Sequence, residues 1–368
     1  MLQATYSKYL LKFKQPAGTS RGILTEKETW FIKIWDSEQP EIYGLGECAL
    51  FRGLSADDVP GYEEKLKEIC QHINTFSPQE LQTWSSIRFG IETALADLSN
   101  KGKRIIYPSP FPEGTTTIEI NGLIWMGSFD EMYQRIQEKM KAGLIWMGDK
   151  ETMRQRIIEK LEAGFHCIKL KIGAIDFQAE LDLLHAIRSS FSKETIELRV
   201  DANGAFHPDE APRKLEQLSR YGLHSIEQPI RQGQWEKMSK LCRNTPVPIA
   251  LDEELIGIND TREKIDMLET IHPQYIILKP ALVGGFLGSE EWIRLADKRQ
   301  IGWWITSALE SNVGLNAIAQ WTALLNVQIP QGLGTGQLYT NNIPSPLEQS
   351  GSVLCYNPGK NWDLTSLK

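Results

Sequence analysis

The hydrophobic pattern of the chain changes at about residue 107, where a Pro-rich run begins. Before it, residues 30–35 form a β-rich run between turn residues, and residues 87–98 carry apolar side chains at helical spacing. The run 107–114 contains three prolines and ends in glycine, a composition that breaks regular structure and marks a domain boundary. We therefore predict an α+β capping domain over residues 1–107.

Beyond the boundary, short apolar runs alternate with amphipathic stretches. Eight such runs occur, at 117–125, 166–172, 196–200, 225–227, 247–251, 275–278, 302–306 and, more weakly, 328–332. Strands that alternate with helices are typical of α/β proteins, and eight of them over this length predict a parallel (β/α) barrel across residues 115–338. We expect the polar tail 339–368 to pack back on the capping domain.

A tandem duplication interrupts the start of the predicted barrel. Segments 123–143 and 144–164 are adjacent, begin with the same Leu-Ile-Trp-Met-Gly sequence and share 13 of 21 positions. Two copies are too few for a solenoid, which needs at least about three repeats. A barrel needs one helix between its first two strands, so we expect one copy to be extruded or to pack on the outside.

Deleting one copy tests this interpretation. Removal of residues 144–164 should leave a folded and active protein, because the remaining copy still supplies one strand end and one helix. Circular dichroism and turnover measure the two properties. A deletion variant that no longer folds would show that both copies are structural.

Composition and charge exclude several classes of protein. Acidic residues outnumber basic ones by 47 to 40, and the net charge of −7 disfavours a nucleic-acid binder. We expect no membrane span, because no apolar run reaches the length that one needs, and the first residues lack the pattern of a secretory signal. Five scattered cysteines, an odd number, favour reduced thiols in a cytoplasmic protein.

Five charged residues recur at almost one strand–helix period. They are Lys171, Asp201, Glu227, Asp252 and Lys279, and they are 30, 26, 25 and 27 residues apart. Each lies at or just beyond the C-terminal end of a predicted strand. Because all these ends meet at one face of a parallel barrel, we expect the five side chains to converge on one site.

The residue types indicate what this site does. Three carboxylates from successive strands offer oxygen ligands that suit Mg²⁺, and the six histidines show no spacing for zinc. Lysines on opposite flanks of a metal suggest that a proton is taken from the carbon next to a carboxylate. Lys169 lies two residues before Lys171 and Arg199 two before Asp201, so each pair points to one side of its strand.

The local motifs resemble the enolase superfamily, and within it the o-succinylbenzoate synthase family. The carrying motifs are Lys169-Leu170-Lys171, Asp201-Ala202-Asn203-Gly204, Glu227-Gln228-Pro229, Leu251-Asp252-Glu253 and Leu278-Lys279-Pro280. Segments 44–47 and 90–98 look like signatures of the family's N-terminal domain, and 16–22 looks like its mobile capping loop. The resemblance covers nearly the whole chain and implies a barrel with an N-terminal capping domain.

The resemblance also implies roles. The three carboxylates would bind Mg²⁺, with Mn²⁺ as a substitute, and Lys171 would take the α-proton of 2-succinyl-6-hydroxy-2,4-cyclohexadiene-1-carboxylate and return it to the departing hydroxyl. This syn dehydration belongs to menaquinone biosynthesis. Lys279 would stabilise the enediolate from the other face. The residues expected to bind the substrate are Lys169, Arg199, Ser20, Ser307 and Gly334, and those expected to support the site around the metal are Asn203 and Glu253.

Two other readings stay open at this point. An N-acylamino-acid racemase or a dipeptide epimerase of the same superfamily would also use lysines on both faces, although the Asp-x-Asp pair that dipeptide epimerases usually carry is replaced here by Gly-Leu-Gly-Thr-Gly at 332–336. A non-catalytic barrel is the alternative from another class, but all five reactive positions hold usable residue types. The expected partner is a small carboxylate, and the sequence leaves a homo-oligomer open.

Overall fold

The computed structural model describes residues 1–19, 22–124, 164–174 and 176–367. Its strands are β1 (Leu2–Thr19), β2 (Gly22–Asp36), β3 (Tyr43–Cys48), β4 (Ile118–Glu119), β5 (Gly122–Ile124), β6 (Cys167–Lys171), β7 (Glu197–Asp201), β8 (Ser225–Glu227), β9 (Ile249–Leu251), β10 (Tyr275–Leu278), β11 (Gly302–Ile305), β12 (Leu347–Ser350) and β13 (Val353–Tyr356). Its helices are α1 (Tyr62–Gln71), α2 (Ser85–Ser99), α3 (Phe177–Ser190), α4 (Ala211–Ser219), α5 (Trp235–Asn244), α6 (Thr261–Ile271), α7 (Gly285–Asp297) and α8 (Asn312–Leu324).

The N-terminal part is an antiparallel sheet of order β1–β2–β3, packed against α1 and α2. The side chains of β2 alternate across the sheet, so that Trp30, Ile32 and Ile34 join the core shared with the helices. Phe31, on the other face, packs with Ile343 and Leu367 of the C-terminal tail. Strand β2 is therefore buried on both sides, which explains the almost continuous apolar run at residues 30–35.

Glycines allow α2 to lie directly on β3. A Cβ at Gly44 would come within 1.8 Å of the Ala94 carbonyl oxygen, and one at Gly46 within 1.8 Å of the Gly90 carbonyl oxygen. These distances leave no room for any side chain. The helix and strand thus pack backbone to backbone, and the glycine-rich motifs of the two segments are explained together.

The barrel is a parallel sheet of order β5–β6–β7–β8–β9–β10–β11. Two parallel bridges, Ile120 with Gln331 and Thr306 with Gly332, bring residues 331–332 into the eighth position between β11 and the start of the sheet. The prediction of an α/β barrel with an N-terminal α+β cap is confirmed. The weak eighth run is reduced to these bridges, whereas the other strands carry regular ladders.

The first predicted barrel strand is divided in two. Within the predicted run 117–125, β4 pairs antiparallel with β13 of the tail, and β5 alone pairs with β6. The tail also contacts the N-terminal sheet, because the Thr340 amide donates to the Lys12 carbonyl over 2.9 Å and the Tyr9 hydroxyl donates to the Asn341 carbonyl over 2.9 Å. The domain limits at residues 107 and 115 stay predictions.

The duplicated segments lie almost entirely outside the described residues. Only residues 123, 124 and 164 of the two copies belong to the part of the chain that the structure describes. The expected extrusion of one copy is therefore a prediction for the deletion variant to decide. None of the described helices is long and apolar enough to cross a membrane.

A buried carboxylate joins the N-terminal sheet to the barrel. Glu47, at the end of β3, is fully buried, and its Oε1 accepts hydrogen bonds from the Thr29 hydroxyl and the Ser311 amide, both over 2.9 Å. Its Oε2 accepts from the Ser311 hydroxyl over 2.5 Å and from the Gly314 amide over 2.9 Å. A negative charge at the N-terminus of α8 also interacts favourably with the helix dipole.

Glu47→Gln should destabilise the fold. The amide turns one hydrogen-bond acceptor into a donor that faces other donors, and hydrogen bonds to charged groups are among the strongest, so we expect the free energy of unfolding to fall by about 2–4 kcal/mol. Urea denaturation measures the change, with the exposed Glu41→Gln as a matched control. Equal unfolding midpoints for the two variants would contradict the proposal that Glu47 stabilises the contact between the N-terminal sheet and the barrel.

Candidate active site

The five predicted side chains meet at the C-terminal end of the barrel. Lys171 and Asp201 end β6 and β7 and are partners in the ladder, as are Asp201 and Glu227. Asp252 and Lys279 follow the last residues of β9 and β10. The strand period that the sequence shows thus places all five at one face of the barrel.

Lysines and carboxylates are paired within this cluster. The Lys169 ammonium contacts Glu227 Oε2 and lies 2.9 Å from Asp201 Oδ2, while the Lys171 ammonium lies 2.5 Å from that same Asp201 oxygen. The Lys279 ammonium contacts Asp252 Oδ2. The three carboxylates are at most 2% exposed, so their charges depend on these neighbours rather than on water.

Burial and neighbouring charges together set the pKa values of this cluster. Burial opposes ionisation of Asp201, but Lys169 and Lys171 outweigh it and hold the pKa of this carboxyl well below its usual range. Burial and the neighbouring Asp201 and Asp252 carboxylates raise the pKa of Glu227. Burial would lower the pKa of Lys279, but Asp252 and Glu227 raise it. The ammonium groups therefore balance a strongly negative set of oxygens.

The carboxylates fit a hard divalent cation. No three His, Cys, Asp or Glu side chains of the described residues are arranged as a ready metal cluster, because lysine ammonium groups lie against these carboxylates. Glu227 Oε1, however, is buried without a hydrogen-bond partner among the described residues. Oxygen ligands from three neighbouring strands, one of them unsatisfied, suit Mg²⁺.

A cavity opens above the cluster. It is lined by Phe51, Leu54, Asn121, Leu123, Lys169, Lys171, Asn203, Glu253, Lys279, Thr306, Ser307, Ala308, Leu309, Gly332, Gly334 and Thr335. Strands β6 and β10 are four positions apart in a barrel of eight positions. Lys171 and Lys279 therefore reach the cavity from opposite sides, as two groups that act on the two faces of a substrate must.

The predicted substrate residues are distributed unevenly. Lys169, Ser307 and Gly334 line the cavity, whereas Ser20 lies outside the described residues. Arg199 does not line it. Its guanidinium binds Glu197 Oε1 over 2.7 Å and the Pro330 carbonyl over 3.0 Å, and it lies over the Trp304 ring. Arg199 is buried one layer below Asp201 on β7, and it does not reach the cavity as its ladder partner Lys169 does. The structure therefore places Arg199 beneath the site and not in the substrate cavity, where it was expected.

Asn203 connects Lys171 to its surroundings. Its Oδ1 accepts a hydrogen bond from the Lys171 ammonium over 2.8 Å, and its Nδ2 donates to Glu253 Oε1 over 2.9 Å. The backbone of Asn203 has a φ of 43°, a left-handed conformation that asparagine tolerates better than most residues. The supporting role expected for Asn203 and Glu253 thus has a geometric basis.

The sequence interpretation assigned no role to Gln228. This residue is fully buried, and its Oε1 accepts from the Asp252 amide over 3.3 Å and the Glu254 amide over 3.4 Å. It therefore holds the backbone that presents Asp252. The sequence does show that Gln228 directly follows Glu227, and this position could have drawn attention to it. No pattern in the sequence indicates that Phe51 and Leu54 line the cavity.

Comparison with known proteins decides the family. Residues 152–349 match a family model described as enolase C-terminal domain-like. The chain belongs to the enolase superfamily. Members of this superfamily generally use Mg²⁺, which agrees with the three carboxylates at the C-terminal ends of the barrel strands.

Relatives within the enolase superfamily cover almost the whole chain. The o-succinylbenzoate synthase of Desulfotalea psychrophila is 44% identical over 96% of this chain and 98% of its own length. The crystal structure of MenC from Desulfotalea psychrophila LSv54 superposes with a TM-score of 0.79, at 41% identity, and covers 96% of this chain and 99% of that one. The predicted resemblance to the o-succinylbenzoate synthase family and the prediction that the chain is an enzyme are confirmed.

A more distant member of the superfamily shares only the fold. The dipeptide epimerase of Enterococcus faecalis V583, whose structure contains Mg and the dipeptide L-Leu-L-Tyr, has a TM-score of 0.78 at 18% identity, with 98% of both chains covered. The same barrel therefore occurs with a different reaction. The choice of substrate must lie in the cavity wall and not in the architecture.

Proposed function

We propose that the chain catalyses the Mg²⁺-dependent syn dehydration of 2-succinyl-6-hydroxy-2,4-cyclohexadiene-1-carboxylate to o-succinylbenzoate, a carbon–oxygen lyase reaction of menaquinone biosynthesis. The observation that carries the proposal is the pair Lys171 and Lys279, which reach one cavity from opposite sides above three carboxylates. The 44% identity to an o-succinylbenzoate synthase supports this choice of substrate.

The first step of the proposed reaction is a proton transfer to Lys171. Its Nζ, in neutral form, takes the proton from the ring carbon that carries the carboxylate, and the electron pair of the broken C–H bond moves into that carboxylate group. Asn203 Oδ1, 2.8 Å from Nζ, fixes the direction of the lysine. The Lys279 ammonium, on the opposite side, stabilises the negative charge that develops.

The second step breaks the carbon–oxygen bond. The electron pair returns to form the ring double bond, the hydroxyl leaves, and Lys171 Nζ donates the proton that it took, so that water is released and the ring becomes aromatic. One group serves both steps because a syn elimination removes hydrogen and hydroxyl from the same face. A Mg²⁺ ion held by Asp201, Glu227 and Asp252 would supply positive charge to the substrate carboxylate.

The cavity wall argues against a cationic substrate. Residues 332–336 contain three glycines and no acidic side chain, and Gly332 and Gly334 line the cavity. An ammonium group in this place would have no carboxylate of this segment to pair with.

A second candidate, an N-acylamino-acid racemase, is favoured by the same two lysines, since one on each face is what a racemase needs.

One assay separates the two candidates. The purified protein is incubated with the cyclohexadiene substrate and Mg²⁺, and the ultraviolet spectrum reports aromatisation. We expect product to form with Mg²⁺ and none to form after chelation. A parallel incubation of an N-succinylamino acid in deuterated water detects racemisation as exchange of the α-proton. Exchange without any aromatisation would overturn the dehydratase in favour of the racemase.

A further inference from the structure

A buried carboxylate lies directly behind the wall of the cavity. Glu310, in the loop between β11 and α8, is fully buried and does not line the cavity. Its Oε2 accepts a hydrogen bond from the Ser307 hydroxyl over 2.5 Å. Its Oε1 is buried without a hydrogen-bond partner among the described residues. The mechanism above uses neither oxygen of this group.

Glu310 is the inner end of a chain of hydroxyl groups that reaches the cavity. The Thr335 hydroxyl donates to Ser307 Oγ over 2.9 Å, and the Leu309 amide donates to the same oxygen over 3.0 Å. Both Ser307 and Thr335 line the cavity. The Ser307 hydroxyl thus accepts two hydrogen bonds and donates one, which uses all its capacity.

Whether Glu310 is protonated decides the direction in which the hydrogen bonds between Glu310, Ser307 and Thr335 are donated. An ionised carboxylate only accepts, so both hydroxyl hydrogens point inward and Thr335 shows lone pairs to the cavity. A protonated Glu310 can donate to Ser307, which then donates to Thr335, and the Thr335 hydrogen is released toward the cavity. The oxygen positions are the same in both arrangements, and only the hydrogens differ.

We propose that Glu310, acting through Ser307 and Thr335, is a specificity-determining positioning residue that, when protonated, makes this wall a hydrogen-bond donor to an anionic arm of the substrate. The inference rests on the proposed function, whose substrate carries a succinyl carboxylate. Thr335 follows the eighth barrel position, which lies opposite β8 and its Glu227. The wall therefore meets the end of the substrate farthest from the metal ligands.

The surroundings of Glu310 are compatible with a proton on it. Burial raises its pKa, opposed by the Ser307 hydrogen bond and by Lys27 of β2, while Glu47 of β3 raises it further. The buried Lys27 ammonium has no hydrogen-bond partner among the described residues. Tyr339 of the tail also lies near Glu310, and its hydroxyl donates to the Leu309 carbonyl over 2.8 Å.

The loop that carries the chain is rigidly held. Leu309 has a φ of 62°, a conformation that costs a branched residue energy and persists only where the surroundings impose it. Here the Ser307 hydroxyl holds its amide and the Tyr339 hydroxyl holds its carbonyl. Ser307 and Thr335 are thus kept in place. Protonation of Glu310 is therefore the simplest way to change the hydrogen bonds that this wall offers to a substrate.

The test compares KM across pH for the wild type and Glu310→Gln. Wild-type KM should rise as pH increases above the pKa of Glu310, by up to about tenfold per pH unit for the loss of one proton. The glutamine amide can donate to Ser307 at every pH, so the variant should lack this rise while kcat stays close to the wild-type value. A variant with the same rise in KM as the wild type would overturn the proposal.

A second variant keeps the test decisive if Glu310→Gln does not fold. Thr335→Val removes the hydroxyl that faces the cavity, so it should raise KM roughly tenfold at low pH, the loss of about one hydrogen bond to a charged group, and abolish the pH-dependent rise. The double variant Glu310→Gln/Thr335→Val should match Thr335→Val, because Glu310 acts on the substrate only through the Thr335 hydroxyl. Additive effects of the two substitutions would contradict this route.

Glu47→Gln is the matched control. It removes a buried carboxylate of the same cluster but contacts Ser311 and Gly314 instead of the cavity wall. We expect lower stability and, because the Glu47 carboxylate raises the pKa of Glu310, the same rise in KM beginning at a lower pH. Loss of the rise in this control would show that the effect is general destabilisation. Failure of the proposed function is distinguishable, since the wild type would then give no aromatic product at any pH.

Discussion

Lys171→Ala should lower kcat by about 10³-fold or more, since a positioned general base contributes about 10²–10⁴-fold and this lysine serves in both steps of the proposed reaction. The side chain reaches the cavity, is only 11% exposed and is held by Asn203. Among the described residues, the cavity lining contains one other lysine on this side, Lys169, and that lysine is bound to Glu227 and Asp201. Steady-state kinetics of the purified variant measures the loss.

Lys171→Arg separates the base from the charge. Arginine keeps the positive charge near Asp201 but stays protonated at every accessible pH, so it cannot take a proton. We expect it to fold and to be as inactive as the alanine variant. Lys240→Ala, an exposed position on α5, is the control for loss of a lysine and should retain full activity. Substantial turnover in Lys171→Arg would show that the base has been assigned to the wrong residue.

Glu227→Gln should abolish productive metal binding. Glu227 supplies a buried oxygen with no hydrogen-bond partner among the described residues, and the amide replaces an anionic ligand with a neutral one. Since even residues that only support metal ligands change affinity by about 10–100-fold, we expect Mg²⁺ affinity to fall by at least about 100-fold. Isothermal titration calorimetry with Mg²⁺ measures this change without any substrate.

Thermal unfolding with and without Mg²⁺ provides a second readout of the same prediction. A ligand that binds only the folded state raises its stability, so the wild type should melt at a higher temperature when Mg²⁺ is added, whereas Glu227→Gln should show almost no shift. Glu216→Gln, an exposed substitution on α4, is the control and should behave as the wild type does. Equal shifts in melting temperature for all three proteins would show that Glu227 does not bind the metal.

The convergence of the reactive residues could be predicted because it follows from local periodicity. Lys171, Asp201 and Glu227 recur at one strand–helix period, and a parallel barrel turns that period into neighbouring positions at one face. Depth along a strand was harder to predict. Arg199 shares a side with Asp201, as alternation requires, but it does not line the cavity, whereas its ladder partner Lys169 does.

Contacts between distant segments could not be predicted in the same way. Glu47 and Ser311 are 264 residues apart, and nothing near either residue in the sequence points to the other. Phe51 and Leu54 come from the N-terminal part of the chain and line the cavity only because that part lies over the mouth of the barrel. Hydrophobic periodicity and turn residues are local features of the sequence, so they carry no information on contacts between distant segments.

The sequence by itself determined the class of fold, the face of the barrel that carries the chemistry and the residue types that converge there. Each of these depends on spacing along the chain, which strand alternation and the strand–helix period convert directly into position. Only the tertiary structure decided that Arg199 lies beneath the cavity, that Gln228 holds the strand end before Asp252, and that Ser307 and Thr335 connect Glu310 to the wall. These arrangements arise from closure of the barrel and from packing of the cap upon it, which bring together side chains that no local pattern relates.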